Sequence, residues 1–250
     1  MKLVLLTAVG VGGATMIGAL LGFIFKKFSH KFSDIVLSFA AGVMLSAAVL
    51  GLIVPSVEYG GKYGLIITVI GVFIGALSLN LIDKFVPHLH KMAGIDSEGH
   101  NNPNANKVLL FVMAIAIHNL PEGIAAGVGF GAGNTSEALV IAGGIALQNI
   151  PEGMVIIAPM ISSGIKPKKT FLLAALTGAV EIVGTLIGYF AVTVAEAILP
   201  FALAFAGGTM LYVVSDEMIP ETHAHGHERG STYSLLVGFC LMLVTDVLLG

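Results

Sequence analysis

The sequence predicts an all-α polytopic membrane protein with eight transmembrane helices, and three observations carry that prediction. Of the 250 residues, 56% are hydrophobic and only 11% charged, with a mean hydropathy of +0.95. A soluble domain carries about 25% charged residues; here too little polar surface remains to coat a globule in water, which leaves lipid as the solvent. Apolar runs recur at lengths near the ~20 residues that span a bilayer as a helix. The basic residues, finally, gather in alternate connections.

The runs define spans at 3–25, 34–57, 64–82, 107–130, 136–163, 170–193, 197–219 and 232–249, one transmembrane domain covering 1–250. The first begins after Met1-Lys2 and carries no convincing small-residue cleavage site, so it reads as a retained helix. The fifth contains Pro151 and Pro159 and is expected to break near the second. Two connections are long and polar, 83–106 and 220–231. Ten of the twelve basic residues lie between spans 1–2, 3–4, 5–6 and 7–8: Lys26, Lys27, Lys31, Lys84, Lys91, Lys107, Lys166, Lys168, Lys169 and Arg229. Only Lys2 and Lys62 lie on the other side. Positive charge marks the cytoplasmic face, so both termini are expected outside and both long connections inside.

A net charge of -3 gives no basis for a nucleic-acid partner. The single cysteine, Cys240, excludes an intrachain disulfide. Glycines spaced by four, such as Gly18/Gly22 and Gly184/Gly188, predict helices in close approach.

Polar side chains at bilayer depth cost a few kcal/mol each and require partners or a polar cavity. HNLPEG (118–123) interrupts the fourth span, and QNIPEG (148–153) repeats it in the fifth. His118 and Glu122 are four apart and share a helical face. Pro121 between them deprives the Ile117 carbonyl of its donor and predicts a kink lining a polar cavity. The short connection makes the two helices antiparallel neighbours, so Glu122 and Glu152 meet at similar depth. Two carboxylates in low dielectric repel unless a proton or a cation lies between them. Imidazole, carboxylate and amide donors suit Zn²⁺, with Fe²⁺, Mn²⁺ and Co²⁺ also admissible. Glu181 adds a third buried carboxylate, and Met44 a thioether. Taken singly, His118 reads as a hydrogen-bonded core histidine and Met44 as packing; the repeated phrase is what argues for a metal.

At the inner end of the seventh span, Asp216, Glu217, Glu221 and His223 lead to His225 and His227, a pattern expected of a metal release path. Glu58 and Asp246 flank the outer mouth, where acidic groups concentrate cations. His88, His90 and His100 in the 83–106 connection read either as transient metal capture or as a solvated linker.

HNLPEG, QNIPEG, the AVE of the sixth span and LYVVSDEMIPETH ending the seventh together resemble the ZIP (Zrt/Irt-like protein) metal transporters, with the GufA-like prokaryotic branch nearest. The resemblance spans essentially the whole chain. It implies a multi-pass protein of the cell membrane that carries divalent metal, usually Zn²⁺ and also Cd²⁺, into the cytoplasm without an organic cofactor. It further implies a binuclear site: His118, Glu122, Gln148, Glu152 and Met44 around one ion, and Asn119, Glu122, Asn149, Glu152 and Glu181 around the other. Elevator-like motion of helices one, four, five and six against the rest, inverted topology between the first and last three helices, and a homodimer are implied as well. The sequence departs from many members at Gln148, where His is common, and at Asn149, where some carry Asp; both neutral amides weaken a cation site. A metal-selective channel is the alternative reading. An intramembrane metal-dependent hydrolase is disfavoured because no H-E-x-x-H phrase and no separate general base are present.

Overall fold

The computed structural model describes residues 1–24, 29–92, 103–131 and 133–250, with side chains described except at 83, 85–92, 103–111 and 114. Eight helical rods cover these segments: α1 (Lys2–Ile24), α2 (His30–Tyr59), α3 (Gly64–Met92), α4 (Pro103–Gly131), α5 (Thr135–Ser162), α6 (Pro167–Val194), α7 (Glu196–Thr222) and α8 (Glu228–Leu249). Seven are long and apolar enough to cross a membrane on their described residues, and α4, at 29 residues, matches them in length. No strand occurs among the described residues.

Local chemistry explains several boundaries. Ser29 caps α2 by accepting from the Phe32 amide, and Asn134 caps α5 by accepting from Ser136 and Glu137. Gly133 and Gly164 take φ of 83° and 82° in the turns flanking α5, a conformation that favours glycine.

Three features depart from the sequence reading. Helix α5 runs unbroken through Pro151 and Pro159; with no water at bilayer depth to receive freed backbone groups, the remaining helical bonds are kept. Helix α3 continues to Met92, ten residues beyond the expected end at 82, so the polar stretch begins as helix. His88, His90 and His100 have side chains outside the described residues. Finally, α2 and α7 each contain a π-helical segment, Ala47–Ile53 and Val214–Met218.

Glycine contacts divide the rods into two groups. A β-carbon at Gly12 would overlap the Gly178 carbonyl oxygen, and one at Gly178 would overlap that of Gly12, so α1 and α6 touch backbone to backbone. Gly18 meets Ile150 and Gly153 meets Thr15 (α1–α5), while Gly184 meets Leu120 and Gly123 meets Glu181 (α6–α4), again at carbonyl oxygens. In the second group Gly42 and Gly238 lock α2 to α8, and Gly75 and Gly208 lock α3 to α7. Between the groups the glycines meet side chains instead: Gly51 faces Ile141, and Gly144 faces Met242.

These contacts reveal an internal repeat. Gly12, Thr15 and Gly18 of α1 recur as Gly178, Glu181 and Gly184 of α6, at an offset of 166 residues. The same offset relates FAAGVML (39–45) of α2 to FAGGTML (205–211) of α7. Each of these two phrases leads into a π segment and then a proline, Pro55 or Pro220. The reciprocal pairs follow the repeat: Ile150 and Leu120, the third residues of the two PEG phrases, occupy equivalent contacts. Because successive rods alternate in direction, α1 and α6 run oppositely. The repeat is therefore inverted, an architecture that places a central site at its interface.

Candidate metal centre

The two PEG phrases and α6 bring seven polar side chains into one buried region. His118, Asn119 and Glu122 from α4, Gln148, Asn149 and Glu152 from α5, and Glu181 from α6 are each at most 9% exposed. Such burial of charge and amide away from lipid is sustained only by mutual contacts.

Glu181 is the hub of those contacts. Its Oε1 accepts from Thr15 Oγ1 at 2.9 Å and from the Asn119 amide, and its Oε2 accepts from Asn149 Nδ2 at 2.6 Å. One carboxylate thus ties α1, α4 and α5 to α6. Asn149 Nδ2 also donates to the Val11 carbonyl at 3.2 Å, which fixes its nitrogen towards α1. Thr15 was missed in reading the sequence. The signal that finds it is its place opposite Glu181 in the 166-residue repeat.

With both amide nitrogens committed to Glu181, the oxygens Asn119 Oδ1 and Asn149 Oδ1 are buried without a hydrogen-bond donor. Glu122 Oε1 and Oε2, Glu152 Oε1 and Gln148 Oε1 are in the same condition. Buried acceptors without donors are rare because each forfeits its hydration. Six such oxygens stand here beside a single buried amide donor in the same condition, Gln148 Nε2, so acceptors outnumber donors and leave a local excess of negative potential that a cation would neutralise.

A cavity of about 500 Å³, counting its open mouth, reaches this region. His118, Glu122 and Glu152 line one wall, and Glu217 and Glu221 of α7 the other. His118 Nε2 lies 2.8 Å from Glu217 Oε1, a polar bridge between the two helix groups. Glu217 belongs to the π segment of α7; the widened turn aims it at α4, a common use of such bulges at functional sites.

The structure does not gather every expected residue at this wall. Met44 is fully buried within the apolar core. Asp216 is exposed. His223 has both ring nitrogens occupied, Nδ1 with the Ile219 carbonyl at 2.8 Å and Nε2 with Thr232 Oγ1 at 3.2 Å, so it braces the α7–α8 turn. At the other end Glu58 is exposed and Asp246 half-buried. Glu137, overlooked in the sequence, lies within electrostatic reach of both Tyr59 and Asp246. Among the described residues no three His, Cys, Asp or Glu side chains stand close enough to hold a metal ion by themselves. A cation at this centre therefore needs the amide oxygens as well. Near the cavity's end of the bundle, His225 Nδ1 pairs with the buried Asp34 at 3.0 Å and stacks on His30 at 4.7 Å.

Fold and centre define an α-helical membrane protein with an inverted repeat and an oxygen-rich polar core between its helices. The ZIP Zinc transporter family model matches residues 94–246, and the chain belongs to that family. It is 40% identical over 245 residues to the zinc transporter GufA of Myxococcus xanthus, covering 96% of each chain. It is 36% identical over 252 residues to the zinc transporter ZIPB of Bordetella bronchiseptica, covering 95% of this chain and 78% of that one. To the zinc transporter ZupT of Chlorobaculum parvum it is 37% identical over 252 residues, covering 95% and 94%. These relatives are named as transporters rather than enzymes, and this chain is a multi-pass membrane protein.

Proposed function

We propose that this protein takes up divalent transition metal, zinc foremost, into the cytoplasm through a binuclear site between α4, α5 and α6. The observation that carries the reading is the excess of buried acceptors, six oxygens on Asn119, Glu122, Gln148, Asn149 and Glu152 against the one amide donor Gln148 Nε2. One ion takes His118, Glu122, Gln148 and Glu152, with Met44 reaching it from α2 as the helix groups shift. The other takes Asn119, Glu122, Asn149, Glu152 and Glu181. One imidazole among many oxygens is a borderline donor set; it suits Zn²⁺ and tolerates Cd²⁺, Mn²⁺, Fe²⁺ and Co²⁺.

Transport proceeds by displacement of α1, α4, α5 and α6 as a unit against α2, α3, α7 and α8. Supporting this, backbone-to-backbone glycine contacts lie within each group, whereas the glycine contacts between groups are to side chains. A rigid body needs the first kind, and a sliding joint the second. The inverted repeat favours the same reading, since exchanging its halves converts an inward-open arrangement into an outward-open one. Leu52, Ile145 and Met210 are wholly buried in the core, packing that favours a carrier over a continuous pore. Positive charge at the loop end orients that end to the cytoplasm. Metal then enters past Glu58, Glu137 and Asp246 and leaves when Glu217 and Glu221 compete with His118 for it. A homodimer in the cell membrane is the expected assembly.

Zn²⁺ uptake by the purified protein in liposomes tests the proposal. Glu122→Ala and Glu152→Ala are each expected to reduce uptake at least tenfold, as loss of a ligand costs more than about 1.4 kcal/mol. Uptake at the parent rate in either variant sinks the assignment.

A further inference from the structure

A second cavity, about 880 Å³ counting its open mouth, lies behind the candidate metal centre. Its floor is the opposite face of α4, where Met113, Ala116, Leu120, Pro121 and Ile124 follow one another at helical spacing. Helix α4 is therefore two-sided: His118 and Glu122 face the polar cavity, and these residues face an apolar one. Phe205 of α7 contributes to the lining, with Ile82 of α3 and Val180 of α6. The side-chain hydroxyls among the described lining residues, Ser78 and Thr209, both donate within their own helices, to Gly75 and Ala206 carbonyls. The described lining is otherwise apolar side chains and leaves little to hold water, which needs several polar partners to stay in a cavity.

The lining runs without a break into the lipid-facing surface. On α3, Ile82 is 43% exposed and is flanked by the exposed Leu77 and Leu81. On α6, Val180 stands between Leu176 and Val183, each 53% exposed and on the same helical face. The mouth thus opens within the hydrocarbon, where the surrounding molecules are lipids.

We propose that this groove seats one acyl chain of a bilayer phospholipid. The chain lies against α4 at Pro121, between that helix and α3 and α7, in the joint separating the two helix groups. There it braces, from behind, the helix turn that carries His118 and Glu122. The proposal rests on the membrane-embedded fold and not on the transport reading, so failed Zn²⁺ uptake leaves it standing.

The test uses the full-length protein in liposomes containing phosphatidylcholine with a diazirine at mid-chain. After photolysis, labelled peptides are mapped and quantified. Label is expected on α4 around Met113–Ile124 and on Phe205, well above that on the exposed α8 face of Leu241 and Val244. Ala116→Trp, which fills the groove, is expected to remove groove labelling several-fold while α8 labelling stays unchanged. Should that variant not fold, Ile82→Trp at the mouth is expected to act likewise. Equal labelling of groove and α8, unaltered by either substitution, means only bulk lipid contact and overturns the proposal. Cross-linking of the groove to a second copy of the chain, without acyl label, overturns it as well.

Discussion

Replacing Asn149 by Asp probes the hub most directly. Asn149 Nδ2 donates to Glu181 Oε2 at 2.6 Å and to the Val11 carbonyl at 3.2 Å. A carboxylate there has no donor for either and faces a second carboxylate at contact distance. With an effective dielectric constant near 20, two unit charges relaxed to about 4 Å repel by about 4 kcal/mol. Loss of a hydrogen bond to a charged group adds roughly 1.5–3 kcal/mol. A bound proton or divalent cation removes the repulsion, so the deficit should be largest at alkaline pH in chelator. Thermal unfolding of the purified protein, with chelator or Zn²⁺ and from pH 5 to 9, reads this out. Asn149→Asp is expected to melt on the order of 10 °C below the parent at pH 9 in chelator. It should recover as the pH falls, and gain more from Zn²⁺ than the parent does. The sign follows from the charges: protonation or metal neutralises the pair, and rising pH exposes the repulsion. Unfolding temperatures equal to the parent's across the pH range in chelator would refute the hub geometry.

Other perturbations separate the remaining contacts. Thr15→Val removes one of the three donors on Glu181 and is expected to cost about 1–3 kcal/mol of stability, measured by the same unfolding assay in chelator; Thr15→Ser should restore most of it. Gly18→Ala drives a β-carbon into the Ile150 carbonyl and should destabilise by roughly 1–3 kcal/mol. Gly143→Ala, with open space at that position, should be neutral or stabilising by up to about 1 kcal/mol. Glu217→Ala frees His118 from its 2.8 Å partner; Zn²⁺ uptake is expected to show both a lower KM and a lower maximal rate. Unchanged values of both would deny Glu217 any part in release.

Much of this protein is legible in its sequence. Membrane class and helix number follow from local quantities, the length and polarity of successive runs, because lipid tolerates few alternatives to a helix. HNLPEG and QNIPEG stood out for a related reason: a buried Glu beside a proline is too costly to occur twice without a use. Thr15 and Glu137 were not legible, since a hydroxyl in an apolar helix and a carboxylate at a helix start carry no local signal. Thr15 matters only because folding sets it against a carboxylate 166 residues away.

Composition and run length by themselves determined that this chain spans lipid and holds paired carboxylates inside it, since both are costs counted residue by residue. Only the tertiary structure decided which way the amides turn. Glu181 claims the nitrogens of Asn119 and Asn149, and their oxygens are thereby left without a donor. It also decided that Glu217 meets His118 and that α4 presents an apolar cavity at its back. Those outcomes depend on contacts between distant segments, whose geometry is set by the close glycine packing of whole helices and not by any run read alone.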